Sequence, residues 1–207
     1  MEDHRVVHQA HPWHGISPGT RAPAHVTVYV EMVPTDTVKY EVDKVSGHLR
    51  LDRPQQFSSL CPAPYGFIPR TLCAERVGAF AASRTGRTGV MGDGDPMDIC
   101  VLTERSINHG GVLVSARPIG GFRMFDGNEA DDKIIAVLEG DAAFGSFESL
   151  RDCPPTLVAR LRHYFLSYKD MPGSATRRTE ITHAYEVAEA HDVIRLSLED
   201  YRAGFPT

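Results

Sequence analysis

Three aspartates fall within the run Gly92-Asp93-Gly94-Asp95-Pro96-Met97-Asp98, which leads straight into the apolar Ile99-Cys100-Val101-Leu102. Carboxylates this close repel one another unless cations or hydrogen-bond donors intervene. Gly94 allows a tight turn and Pro96 stiffens it, so the oxygens are crowded in a rigid loop. Hard oxygen donors in that arrangement suit a divalent ion such as Mg2+. A solvated acidic turn is the plainer explanation. A calcium EF-hand is another, because Asp93, Asp95 and Glu104 fall at loop positions one, three and twelve. It fails at position six, where Asp98 replaces the required glycine, and at position five, which is Met97.

A second acidic stretch, Asp126-Gly127-Asn128-Glu129-Ala130-Asp131-Asp132-Lys133, runs into Ile134-Ile135-Ala136-Val137. In an extended chain Asp131 and Lys133 point to one face and Asp132 to the other. An exposed Lys133–Asp131 pair would be worth under ~1 kcal/mol and would mean nothing. The strand that follows is apolar enough to be buried on both faces, where lone charges are costly. Charges at its mouth therefore favour a site. His4, His8, His11 and His14 also invite a metal, but Pro12 interrupts the helical spacing that would bring them together.

These residues need strands to hold them. Val26, Val28, Val30 and Met32 alternate with Thr27, Tyr29 and Glu31, which predicts a strand with the first set on one face. Val38–Val42 forms a second strand with Lys39 and Glu41 on one side, and His48–Arg53 resumes after the Ser46-Gly47 turn. Further strands are expected at Ile99–Thr103, Val112–Ala116 and Ile134–Leu138. The period then lengthens: Leu157, Leu161, Tyr164 and Phe165 are spaced for one helix, and Val187, His191, Ile194 and Leu198 for another. The layout is α+β, strands first and two helices last. Residues 1–25 read as an irregular arm and 26–207 as one domain. Within it, residues 73–92 are rich in Gly, Ala, Ser and Thr and read as a long surface loop. Arg76, Arg84 and Arg87 on that loop are either a cationic lid or ordinary solvated or subunit-facing side chains; the plainer role is favoured.

Composition narrows the functional classes. The 207 residues carry 27 acids and 22 bases, a net charge of −5, which is the wrong balance for a protein that grips nucleic acid by neutralising phosphates. Cys61, Cys73, Cys100 and Cys153 form no CxxC pair and read as reduced thiols. The N-terminus lacks an apolar signal core, and no apolar run approaches the ~20 residues that span a bilayer. A cytoplasmic protein without a membrane partner is the expectation.

The chain resembles family I soluble inorganic pyrophosphatases, in particular a longer bacterial subgroup, across residues 26–205. The Gly92–Leu102 run is similar to that family's DGDPxD signature. Glu31, Lys39-Tyr40-Glu41, Asp43-Lys44, Asp52-Arg53, Tyr65-Gly66-Phe67-Ile68-Pro69, Asp126 with Asp131 and Lys133, and Tyr168-Lys169 follow in the family's order. The resemblance implies an OB-like closed five-stranded β-barrel with the two C-terminal helices packed outside. It implies hydrolysis of inorganic pyrophosphate to two orthophosphates, with several Mg2+ ions activating a water nucleophile. Mn2+ and other divalent ions are candidate substitutes, and Ca2+ is expected to inhibit. Asp93, Asp98 and Asp131 match ligands of the tighter ion, Asp98 bridging to a second. Asp126 with Asp131 matches a further metal site, with Glu31 contacting water beside it. Asp95 matches the base that takes a proton from the attacking water. Lys39, Arg53, Lys133, Tyr168 and Lys169 match groups that hold phosphate oxygens. Tyr65 matches a tyrosine hydrogen-bonded within the metal site, and Glu41 another acidic wall residue. His163 is either a core-edge histidine or, at the position the resemblance places at a subunit interface, a subunit contact; a homo-oligomer is implied by the resemblance.

Seven carboxylates converging with four cations make a net-negative cavity that would repel pyrophosphate until divalent ions invert its sign. The chain departs from shorter relatives at Cys61, where a tyrosine is usual, at Phe67, in the 73–92 insertion and in the arm with its His-Pro-Trp-His-Gly run. An OB-like module binding single-stranded nucleic acid is the rival function. It needs a basic groove and stacking aromatics, whereas the single tryptophan lies in the arm.

Overall fold

The computed structural model describes residues 9–56, 58–169 and 179–206. Its elements, in chain order, are β1 (Val26–Met32), β2 (Val38–Val42), β3 (Leu49–Pro54), β4 (Tyr65–Phe67), α1 (Glu75–Thr85), β5 (Met91–Gly92), β6 (Asp98–Leu102), β7 (Val112–Asp126), β8 (Glu129–Ala130), β9 (Lys133–Leu138), α2 (Pro155–Ser167), β10 (Thr179–Glu186) and α3 (Val187–Gly204). The β-branched, alternating runs became strands, and the apolar residues at helical spacing became α2 and α3.

Five strands close a ring. β1 pairs with β4, β4 with β6, β6 with β9, β9 with β7, and β7 returns to β1. Only the β6–β9 pairing in this ring is parallel. Closure leaves the ring no unpaired edge, and this is the OB-like barrel that the family resemblance implies. β7 holds it together because its 15 residues pair with β1 near the start and with β9, β10 and β8 farther along. β2 and β3 form a separate hairpin beside it.

The core has two main faces. Val26, Val28, Val30, Ile99, Val101, Ile134 and Ala136 pack with Val193, Ile194 and Leu198 of α3 and Val77 and Ala81 of α1. Cys100, Leu102, Ile135 and Val137 pack with Leu161, Tyr164 and Phe165 of α2. β9 therefore contributes to both clusters and is buried on both sides, as its unbroken apolar run predicts. One detail of β1 differs from simple alternation. The register shifts between Val30 and Met32, so Met32 joins the α2 cluster instead of the face carrying Val26, Val28 and Val30. The extra residue of this bulge is Glu31, and bulges re-aim the side chain they carry.

The insertion 73–92 is not a loop: it contains α1 and β5. Ala74, at the helix N-cap position, offers no side-chain cap. Asp200 of α3 supplies it instead, accepting from the backbone N–H groups of Ala74 (3.1 Å) and Val77 (3.1 Å) and from both backbone and guanidinium of Arg76. At the other end Gly86 takes the left-handed conformation, φ +69°, that terminates a helix. A three-residue 3-10 turn at Leu150–Asp152 precedes α2. In the arm, residues 9–25 form turns without strand or helix. His4 and His8 lie outside the described residues. His11 uses its Nδ1 to accept from the backbone of Trp13 (3.1 Å) and His14 (3.3 Å), a local turn.

Candidate active site

The acidic turn 93–98 is laced to the segment that precedes α1. Ile68 N donates to Met97 O at 3.0 Å, Cys73 N to Asp95 O at 2.8 Å, and Gly94 N to Cys73 O at 2.9 Å. Met97 N donates to the Thr71 hydroxyl at 2.8 Å. Two glycines are required here. Gly94 has φ +78°, and a Cβ on Gly92 would lie 2.2 Å from the Cys73 carbonyl oxygen. Asp93 Oδ1 accepts from Asp95 N at 2.9 Å, which orients one carboxylate within the turn. Asp98 then opens β6, beside Tyr65 and Phe67 on β4 and parallel to β9.

Around this turn lies a cleft of about 190 Å³. All seven carboxylates singled out in the sequence line it: Glu31, Glu41, Asp93, Asp95, Asp98, Asp126 and Asp131. So do Lys39, Lys133, Lys169, Tyr65 and Tyr168. They come from β1, β4, β7, β9 and the 93–98 turn leading into β6 of the barrel, from the β8–β9 link, from β2 of the hairpin and from the end of α2. Arg53 is the exception: among the described residues it is not part of the lining. It stands opposite Lys39 on β3 and donates to its neighbour Asp52 at 2.5 Å. The two backbones pair, but the guanidinium is spent on a carboxylate outside the cleft. The lining also holds Lys44 and Glu129. Lys44 falls within a family-matched dipeptide yet had no role; it pairs with Asp95 across the cleft mouth. Glu129 lies in the second acidic stretch, but sequence alone offered no sign that it faces inward.

Burial and crowding set the electrostatics. Glu31 is only 6% exposed. Burial pushes its carboxyl up to about 8, aided by Asp98 and Glu41 and opposed by the Val42 N–H, which donates to Glu31 Oε1 at 2.7 Å. Asp93 is also pushed up to about 8, by burial first and then by Asp131 and Asp98. Lys133, 1% exposed, donates to Asp98 at 2.5 Å and to Asp131. Burial alone would lower its basicity, yet these two carboxylates hold the ammonium well above its ordinary value. Burial likewise opposes the charge on Lys39, but Glu41, Asp52 and Asp98 outweigh it and raise the group. Lys169 donates to Asp126 at 2.8 Å and lies 3.6 Å from Asp131; its basicity rises because Tyr168 and those carboxylates overcome burial. The Tyr65 phenol is held well above its usual value by burial, Asp98 and Tyr168. Each lysine thus neutralises the acid beside it.

Asp132 turns away from the cleft, as alternation requires. It meets Arg123 at 2.7 Å with both side chains fully buried, and accepts from the Tyr185 hydroxyl at 3.2 Å. Burial lifts it to about 6 despite the guanidinium. Arg123 reaches on to Glu189 of α3 at 2.9 Å. The insertion's arginines are engaged away from the cleft: Arg76 with Asp200, Arg84 near Glu189 at 3.8 Å, and Arg87 with Glu180. None lines it, which supports the plainer role over the lid.

The profile of the inorganic pyrophosphatase family matches residues 28–202. The chain belongs to that family. It is 47% identical over 196 residues to an inorganic pyrophosphatase of Chlamydia trachomatis serovar L2, covering 93% of this chain and 94% of that one. A soluble inorganic pyrophosphatase of rice (Oryza sativa subsp. indica) is 35% identical over 194 residues, covering 94% and 80%. The crystal structure of the inorganic pyrophosphatase from Thermus thermophilus superposes with a TM-score of 0.78 at 27% identity, covering 93% and 99%. The match runs from Val28 in β1 to Arg202 in α3.

Proposed function

We propose that the chain hydrolyses inorganic pyrophosphate to two orthophosphates in this cleft, as its family membership indicates, with several divalent cations, Mg2+ foremost. The observation that carries the reading is one cleft lined by eight carboxylates and four lysines. Its donors are carboxylate and phenol oxygens, and among the described residues no imidazole or thiol joins the lining, a set that fits a hard cation. As placed, no three acidic, histidine or cysteine side chains among the described residues close on a common point. Lys133 sits between Asp98 and Asp131, supplying positive charge that the acids require. Asp93, Asp98, Asp126 and Asp131 would hold the cations, with Glu31 beside them. Bound there, the ions neutralise the polyanion and acidify the attacking water.

The chain's own groups do the rest. Lys39, Lys133, Lys169 and Tyr168 hold phosphate oxygens, and their charge opposes the negative charge that accumulates on the leaving phosphate. Asp95 takes the proton as the water oxygen bonds to phosphorus and the bridging P–O bond breaks, its electron pair staying with the departing phosphate. Tyr65 fixes Asp98, and Glu41 restrains Lys39 at 3.3 Å. Arg53 enters only at the periphery, beside Asp52. Mn2+ is a candidate substitute and Ca2+ an inhibitor. A cytoplasmic homo-oligomer fits the exposed His163 on α2, and no described helix is long and apolar enough to cross a membrane. A cleft this acidic is unsuited to holding single-stranded nucleic acid. Phosphate release from pyrophosphate should vanish with EDTA and return with Mg2+. Turnover by protein shown to be metal-free would refute this reading.

A further inference from the structure

We propose that the N-terminal arm is a working part of the cleft, and that Trp13 is a positioning residue that sets the acidic turn 93–98 through Thr71. The inference rests on the cation-binding role given to that turn. Trp13 is 4% exposed and lines the cleft with Asp93, Asp95 and Asp98. Its indole N–H donates to the Thr71 carbonyl at 2.7 Å. Thr71 is fully buried, and its hydroxyl accepts from Met97 N at 2.8 Å while donating to Ile68 O at 2.5 Å. One residue thus joins the arm on one side to the backbone immediately before Asp98 on the other.

The segment between them needs that support. Arg70 has φ +53°, a left-handed conformation that costs energy for a residue with a side chain. Two hydrogen bonds hold it, and both end on the arm: Arg70 N to Trp13 O at 2.9 Å and Arg70 Nε to His14 O at 3.0 Å. Three residues on, Cys73 makes the backbone bonds to Gly94 and Asp95. The carboxylates in the turn repel one another, so their spacing depends on this backing. Partners behind a ligand set tune affinity by about 10–100-fold. The arm itself is held at its far side, where His14 Nδ1 meets the Tyr201 hydroxyl at 2.7 Å and Trp13 packs edge-on to Phe205. A simple clamp on α3 is therefore the competing explanation.

Calorimetric titration with Mg2+ alone separates the two. Trp13→Phe keeps the ring and loses the donor; the Kd for Mg2+ should rise about tenfold. Thr71→Val should weaken binding similarly, and Thr71→Ser, which keeps the hydroxyl, should bind within about twofold of wild type. Val193→Ala loosens α3 in the core without touching the arm, and should leave Mg2+ affinity within twofold. Wild-type affinity in Trp13→Phe, or equal weakening in Val193→Ala, overturns the proposal. If Trp13→Phe does not fold, Arg70→Ala, which loses the Nε bond to His14 O and keeps every bond of Thr71, decides for the arm: its Kd for Mg2+ should rise about tenfold, and wild-type affinity overturns the proposal. A wild-type chain that binds no Mg2+ overturns the functional reading, and this inference with it.

Discussion

Asp95 and Asp98 are three residues apart and chemically identical, yet their surroundings differ in a way that suits the different roles proposed for them. Asp98 is gripped by Lys133 at 2.5 Å and faces the buried Tyr65 phenol, deep in the cleft. Asp95 lies toward the mouth, 38% exposed at the side chain, and meets Lys44. A ligand must be held from several sides, whereas a base must reach water. Asp95→Asn should therefore lower kcat by roughly 10²–10⁴, the range for a positioned base, while Mg2+ affinity changes little. Asp98→Asn should weaken Mg2+ binding strongly as well. Equal metal loss in the two variants, measured by titration without substrate, would move Asp95 into the ligand set. The sequence exposed both residues through their spacing. It did not expose Lys44 as the partner of Asp95, because the β2–β3 turn reaches the acidic turn only through the fold.

At the scale of elements, α1 shows how a helix escapes a sequence reading. Its small residues resemble loop composition, and its missing N-cap removes the usual start signal. The cap comes from Asp200, more than a hundred residues later. Asp200→Ala leaves three backbone donors unpaired and should destabilise the protein by roughly 1–3 kcal/mol, the cost of unsatisfied buried groups. Denaturant unfolding followed through Trp13, the sole tryptophan, measures this. Arg84 and Arg87 instead bind α3 and β10, and Arg87 also covers the Phe125 ring at 4.1 Å. Replacing both with Ala should change KM less than about threefold, well short of the 1.4 kcal/mol that corresponds to tenfold. A tenfold rise with folding intact would restore the lid.

Across the whole molecule, the cleft trades folding stability against readiness for cations. Glu31 and Asp93 stand at about 8 in the folded chain, far above unfolded carboxyls near ~4. The folded state therefore holds protons that the unfolded state has released. The metal-free protein should lose stability as pH rises from about 4 to about 8, and level off above. Mg2+ replaces those protons, so its stabilisation should grow over the same interval; at about 100 times Kd, binding contributes ~2.7 kcal/mol. Melting curves with Mg2+ and with EDTA at several pH values test both signs. A metal-free Tm that climbs across that interval would contradict the burial of these two acids. β1, β2, β3, β6, β9, the start of β7, helices α2 and α3 and the acidic turn were legible in the sequence, because alternation, helical spacing and a short rigid motif are local properties; most other side chains of the cleft were expected only from the resemblance to the family. The bulge that re-aims Glu31, the burial of Arg123 with Asp132, the helix in the insertion and the seat of Trp13 behind the acidic turn were not legible. Each depends on a partner distant in sequence, and only closure of the barrel and the packing of α3 bring those partners within hydrogen-bonding reach.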